Sequence, residues 1–466
     1  MLAIKLIIFC FFATLFSVYG QAQNVSINGK VLDESGLPIP GASILIKGTS
    51  NATTTDFDGN YQIKAASDGT LIFSYLGYAS IQEAINGRKS IEVKLRPGTQ
   101  SLQEVVVIGY GSQKKREVTG AVSVVDSKTL DILKPVRIEQ ALQGTVSGVN
   151  VTTTSGSPGA ALDIRIRGIA TNGNAAPLVI IDGYIGELGL LNPNDVETMT
   201  VLKDAQAAIY GSAAANGVIL VTTKTGKKNS KGKISFNTYT GFQETARTLP
   251  TLNATQYALL LNESYANGGK ALPYPNVSNL GRGTDWQREV LGRNVPIISH
   301  DLTFSGGSEK ITYAVSGSHL DQEGIVGGDK SGFLRNTARV ALGADVSDKL
   351  KLKSNVIYTY FDRRTLLENG NASVLLNAVN APSVLSPYDA DGNATVFPGG
   401  TLGNEMINPL AQIDNTYNNY NFKQISGNFG LDYTLFKDFV ISSNLGFKSA
   451  NSESKSFAKI VDYGGG

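Results

Sequence analysis

Cysteine is all but missing from this chain. The single one, Cys10, lies inside an apolar run near the start. Residues 1–22 read as a charged beginning at Lys5, an apolar stretch from Leu6 to Val18, and small residues at Gly20 and Ala22. That is the layout of a secretory signal peptide, with cleavage expected after Ala22 and Gly20 as the alternative. The bulky Ile7-Ile8-Phe9 ahead of Cys10 does not suit a lipoprotein signal, so Cys10 is expected to leave with the leader. The mature chain then uses neither disulfides nor thiol chemistry.

Histidine is nearly as scarce. His300 and His319 are the only two, and no Cys or His cluster has metal-ligand spacing. No Gly-x-Ser-x-Gly elbow occurs either. The reading is therefore of a protein that is not an enzyme, with no catalytic residue, no metal and no cofactor. Beyond the leader, nothing approaches the roughly 18 consecutive apolar residues of a membrane helix. The net charge of +2 offers no basic surface, which argues against nucleic acid as a partner. A secreted, periplasmic, surface or β-barrel protein remains, and 466 residues imply more than one domain.

What is present is organised around residues 177–226. Leu178-Val179-Ile180-Ile181 and Val218-Ile219-Leu220-Val221 are short β-branched runs and read as strands buried on both faces. Asp182-Gly183 is a tight-turn signal. Asn194 or Asp195 is placed to cap a short helix after Pro193. Asp204 is placed to cap an Ala-rich one after Lys203, passing Tyr210 and ending at Gly211, with Asn216-Gly217 leading into the second strand. This linked series resembles the plug domain of TonB-dependent outer-membrane transporters, in their SusC/RagA branch.

The flanks fit that resemblance. From Asn24 to Leu95, short alternating strands separated by turn signals describe an all-β sandwich. Gly29-Lys30-Val31, Gly36-Leu37-Pro38-Ile39-Pro40-Gly41-Ala42 and Gly59-Asn60-Tyr61 resemble the carboxypeptidase-regulatory-like domain. Asp56, Asp58 and Asn60 suggest calcium, but Gly59 precedes the third oxygen where a calcium loop wants it after, so a hairpin turn is the better reading. Asp389-Ala390-Asp391-Gly392-Asn393 is read the same way.

After the Pro97-Gly98 linker comes Glu104-Val105-Val106-Val107-Ile108-Gly109-Tyr110-Gly111. It is an edge strand a partner could extend, or one more strand of the sandwich. The resemblance makes it the TonB box, the handle of a TonB-type energy-transducing protein. Ser112 to Glu117 reads as a tether. Asp163-Ile164-Arg165-Ile166-Arg167-Gly168 is a period-two strand with both arginines on one face. The resemblance sets it in the sheet of the plug, its arginines lining a seam with the barrel wall; a solvated face is the other reading.

From Lys233 onward the strands lengthen to about ten residues, apolar outward and polar inward, as in a transmembrane barrel. Connections alternate between long or medium (244–298 and 363–419 long, 321–332 medium) and short (307–310, 347–349, 436–438). About seven strands fit, an open-edged number, so the sequence is expected to be the N-terminal part of a longer chain.

The expected organisation is thus mainly β. It comprises a signal peptide (1–22), a sandwich (23–96), a linker with the TonB box (97–117), an α/β plug (118–228) and an incomplete antiparallel transmembrane barrel (229–466). The resemblance implies active uptake of an oligosaccharide or peptide across a bacterial outer membrane. The implied partners are a SusD-like surface lipoprotein, the energy transducer and outer-membrane lipid. A surface adhesin or signalling receptor is the alternative. Aromatics in the long loops, among them Tyr257, Trp286 and Tyr388, are candidates for stacking on sugar.

Overall fold

The computed structural model describes residues 24–49, 51–75, 78–96, 105–108, 111–114, 122–367, 369–370, 372–397, 406–437 and 439–459. The signal peptide, the Pro97-Gly98 linker, and Glu104, Gly109 and Tyr110 lie outside them. The chain forms two compact units, one built on the sandwich and the other on Val107–Gly111 and everything from Gly120.

The first unit holds β1 (Asn24–Leu32), β2 (Ser43–Ile46), β3 (Ala52–Thr54), β4 (Asn60–Ala66), β5 (Thr70–Ser74), β6 (Ile81–Ala84) and β7 (Val93–Lys94). They make two sheets, in the orders β4-β1-β7 and β3-β2-β5-β6. Alternation drives the packing: Tyr61, Ile63 and Ala65 of β4 point inward, onto Ile27, Val31, Ile44, Leu71 and Phe73. The Asp56 turn closes on itself, its Oδ1 accepting the amides of Asp58 and Asn60. Ahead of the plug in sequence, β8 (Val105–Ile108) pairs with β9 (Gly111–Lys114) in a sheet of two strands. Part of the expected tether is therefore strand, and the run from Val105 to Ile108 belongs to neither sandwich sheet.

The plug contributes β10 (Val122–Asp126), β11 (Val149–Thr153), β12 (Leu162–Ile166), β13 (Leu178–Ile181), β14 (Tyr184–Ile185), β15 (Val196–Leu202) and β16 (Val218–Thr223). Five of them form a mixed sheet, β10-β15-β16-β13-β14, in which β13 and β16 are the parallel pair. The strand β15 escapes sequence reading because it lies inside the sheet with Met199 to Leu202 buried in succession, so those residues do not alternate. Strands β11 and β12 stand apart as a pair, so the Ile-Arg-Gly strand is not in the main sheet. Arg167 leaves the strand with φ +58.

Two helix starts also differ from expectation. The turn after Pro193 is a single 3-10 turn capped by Asn192, whose side chain accepts the Asn194 amide. Asp204 caps nothing. It sits at φ +54, outside the extended region a cap needs, and its carboxylate is engaged by Arg167. Three short 3-10 turns carry the chain from there to Ala214.

The wall is a seven-stranded antiparallel sheet in sequence order: β17 (Ser230–Gln243), β18 (Val295–Gly307), β19 (Ile311–Glu323), β20 (Gly332–Asp345), β21 (Leu350–Arg364), β22 (Thr416–Phe436) and β23 (Phe439–Ala458). It is apolar on the outside and polar within. Phe236, Leu302, Val340, Leu342, Phe429 and Leu445 are exposed on its outer face. Arg335, Thr337, Arg339, Asn355, Ser426 and Asn428 are buried on its inner face, against the plug. A water-soluble sheet would be the reverse, because apolar surface is driven from water. This distribution suits a sheet whose outer solvent is lipid.

The two long connections are not plain loops. Helices Ala254–Asn267, Trp286–Val290, Val374–Asn380 and Pro409–Asn415 fold there. Trp286, Val374, Phe397 and Ile413 meet in a core of their own. Trp286 is therefore not displayed for stacking on a ligand. It is buried, its indole N–H donating to the Pro382 carbonyl at 2.9 Å.

Candidate functional site: the seam between plug and wall

The plug touches the wall through the tip of its β13–β14 hairpin. Asp182 and Gly183 form that tip, at φ +46 and +93. A left-handed Asp is tolerated because its short side chain bonds locally. Here its Oδ1 accepts the Thr223 amide at 2.9 Å and its Oδ2 the Thr223 hydroxyl at 2.6 Å. The wall then grips both ends of the residue. Asn355 of β21 donates to Oδ2, and Asn428 of β22 donates to the Asp182 carbonyl at 2.9 Å. A Cβ on Gly183 would come within 2.4 Å of the Asn444 amide nitrogen of β23, so nothing larger than glycine fits without movement.

Arg339 of β20 lies beside this tip. Its Nε donates to Asn355 Oδ1 at 2.8 Å, and its Nη2 to the Thr223 hydroxyl and to the Lys224 carbonyl at 2.7 Å. The Asp195 carboxylate of the plug accepts from Ser316 Oγ. Burial pushes the Asp195 carboxyl above its usual range, against the pull of Arg339. One turn of wall further, Asp301 accepts from Asn192 at 2.8 Å, and Arg335 reaches the Gly189 carbonyl at 3.3 Å. Thr359 donates to the Leu190 carbonyl at 3.0 Å.

The seam is polar around the hairpin tip and apolar elsewhere: Ile357 of the wall packs into the plug core, and Val136 of the plug packs against Ile297, Leu320 and Phe333. Some of its groups are unmatched: Arg335 Nε, Gln424 Oε1 and Asn428 Oδ1 are buried without a hydrogen-bond partner among the described residues. Parting the apolar patches would expose hydrophobic surface. The polar part exchanges its bonds for bonds to water, at a net cost of only about 0.5–1.5 kcal/mol each.

The residues singled out from the sequence divide into two sets. Asp182 and Gly183 are at the seam. Asp195, expected as a helix cap, is at the seam as well, and the other plug residues hold the plug together. Arg165 pairs with Asp163, and Arg167 with Asp204 at 2.7 Å. Lys203 donates to Ser123 and to the Ser147 carbonyl, and burial lowers its pKa. Asn216 donates to the Asn174 carbonyl at 3.0 Å. Gly168, Gly211 and Gly217 all have positive φ, and Tyr210 rests against the cluster of Leu202 and Val218. Sequence reading missed Arg335, Arg339, Asn355 and Asn428. The available signal was two arginines four residues apart on the inward parity of one strand.

Comparison with known proteins agrees with this architecture. Residues 27–107 match the CarboxypepD_reg-like domain, and residues 114–218 the TonB-dependent Receptor Plug Domain. TonB-dependent receptor P26 of Formosa agariphila is 38% identical over 448 residues, which cover 94% of this chain and 44% of the relative. TonB-dependent receptor SusC of Bacteroides thetaiotaomicron is 31% identical over 491 residues, covering 99% of this chain and 48% of the relative. The RagAB peptide importer in its open-open state superposes with a TM-score of 0.63 at 28% identity, over 76% of this chain and 43% of that one. The chain spans somewhat less than half the length of each of these. A CarboxypepD_reg-like domain, a plug and an inside-out wall, in that order and with those relatives, make the chain a member of the SusC/RagA branch of the TonB-dependent receptors.

Proposed function

We propose that the protein takes up a nutrient, an oligosaccharide or a peptide, across the bacterial outer membrane, and that a TonB-type protein drives the uptake by pulling on residues 104–110. The observation that carries this reading is the polar seam. It holds the plug against a wall that faces lipid on its other side, and around the hairpin tip its bonds can be exchanged for bonds to water. The resemblance to a peptide importer supports the peptide arm of the substrate class. A SusD-like lipoprotein is the proposed outer partner, above the long connections that end in the Trp286 core. The proposed domain limits are those expected from sequence, with residues 1–22 as the export signal.

The handle reading rests on the β-prone run Glu104-Val105-Val106-Val107-Ile108-Gly109-Tyr110 directly ahead of the plug. A strand added by a partner gains affinity through main-chain hydrogen bonds. Proline lacks the donor and fixes φ, so Val106→Pro should block such pairing. Membrane insertion and substrate binding should persist while energy-dependent uptake is lost; Val106→Ala should retain uptake. Uptake that survives Val106→Pro, or deletion of residues 104–110, would move the protein to the adhesin or signalling-receptor class.

A further inference from the structure

The outer face of the wall carries a polar belt. Thr238, His300, His319, Asn336, Tyr360 and Lys423 stand directly opposite one another on six successive strands. Asn451 of β23 continues the row opposite Lys423. Directly opposed residues share a face, so the whole row stands on the outer side.

Its members are tied sideways. Thr238 Oγ1 lies 2.9 Å from His300 Nδ1, and His319 Nδ1 2.7 Å from Asn336 Oδ1. The two imidazoles stack at 6.3 Å with 14° between their planes, and Phe236 stacks on His300 from the other side. The Lys423 ammonium sits 5.9 Å from the centre of the Tyr360 ring.

The outer face changes character at this row. On the side of the short turns it is apolar, with Val315, Val340, Val356, Ile425 and Phe447 exposed or half-buried. The next outward positions on the other side are Thr240, Ile298, Asp321, Leu334, Asp362, Asn421 and Glu453, five of them polar or acidic. From Asn336 to Ala344 is eight residues. That is about 27 Å of strand and, at a barrel tilt of about 35–45°, about 20 Å of height, close to the apolar band of an outer-membrane barrel. A row perpendicular to tilted strands climbs obliquely, which is why the apolar face on β18 runs on past His300 to Ile298.

We propose that this belt is where the wall meets the phosphate-bearing headgroups of the outer leaflet. His319 and Lys423 are the contacts, and Asn336 and Tyr360 hold them in place. The ligand class follows from charge: the belt offers an ammonium and imidazole N–H groups and contains no carboxylate. The proposal rests on the outer-membrane reading above, and its test separates the two.

Cys10 is the one cysteine of these 466 residues, and with any other cysteine of the membrane-embedded protein replaced by serine, single cysteines can carry spin labels. Labels at Val340→Cys and Phe429→Cys should be reached by oxygen and not by a water-soluble nickel chelate. A label at Asp362→Cys should show the reverse, and those at Asn336→Cys and Lys423→Cys should fall between. If the Val340 and Phe429 labels report water, the membrane reading fails and takes the belt with it. If they report hydrocarbon while the belt labels match them or match Asp362, only the belt is wrong. For the headgroup, the protein is reconstituted in vesicles of a neutral, phosphate-free glycolipid containing a minor fraction of lipid A, and the co-purifying lipid is measured. The wild type should be enriched in lipid A several-fold over the His319→Asn/Lys423→Gln variant. Equal enrichment would overturn the phosphate assignment.

Discussion

The Arg339 guanidinium of the wall lies 4.0 Å from the Asp195 carboxylate of the plug, and the two side chains are 1% and 5% exposed. Neither group has water to fall back on, so each depends on the other and on its hydrogen bonds. Arg339→Met leaves Asp195 buried and unpaired, a loss of about 3–5 kcal/mol for such pairs. The plug should seat poorly, and cells should become sensitive to a large hydrophilic antibiotic. Adding Asp195→Asn should restore much of the seal, because the stranded charge is then gone. A single variant that remains sealed would show that this pair does not hold the plug.

Gly183→Val tests the hairpin tip. Valine at φ +93 is strained by about 1–3 kcal/mol, and its Cβ would press on the Asn444 side chain. The plug should loosen, with solute leak as the readout. Unchanged sealing together with unchanged transport would remove the tip from the seam.

The outer connections have a core that can be broken separately. Trp286 stacks edge-on against Phe397 at 5.3 Å. Trp286→Ala should cost about 3–5 kcal/mol locally. Hydrogen exchange should rise across residues 254–290 and 374–415 while the plug remains protected. Fast exchange in the plug as well would mean that the loops and the plug form one cooperative unit.

The sandwich offers a pH test. Tyr61 donates its hydroxyl to the Ile91 carbonyl at 2.9 Å, and burial raises its pKa to about 12. The folded form therefore holds a proton that the unfolded chain releases near pH 10. Stability should fall as pH rises from about 10 to 12, since the unfolded state binds fewer protons there. Urea unfolding of residues 23–96 should show that decline, and Tyr61→Phe should flatten it. A phenol absorbance titration that places Tyr61 at its ordinary value would contradict the assignment.

The fold was legible wherever one periodicity ruled. The wall strands alternate strictly, so their number and the short turns at 307–310 and 347–349 could be read directly. β13 and β16 were legible as β-branched runs between turn signals. β15 was not, because the unbroken burial from Met199 to Leu202 erases the alternation. The outer helices were hidden because several are only five to seven residues long, too short for a 3.6-residue period to show. At the seam, Asp182 and Gly183 were visible as turn chemistry. Arg339 and Asn428 were not, since an inward polar residue in a barrel strand reads the same whether it meets a plug or water.

The bonds at the hairpin tip span long stretches of chain: 173 residues separate Asp182 from Asn355, and 246 separate it from Asn428. The parallel strands β13 and β16 are about 40 residues apart and can find each other early, because closing a short loop costs less entropy. The tip can be gripped only after β21 and β22 have paired. Sequence separation makes the grip the costlier closure, so docking is expected after the plug's own sheet has formed. Contacts made after the folding barrier govern how fast a structure comes apart rather than how fast it forms. Substitutions at Asn355 or Asn428 should accordingly shorten the lifetime of the docked state and leave the rate of assembly nearly unchanged.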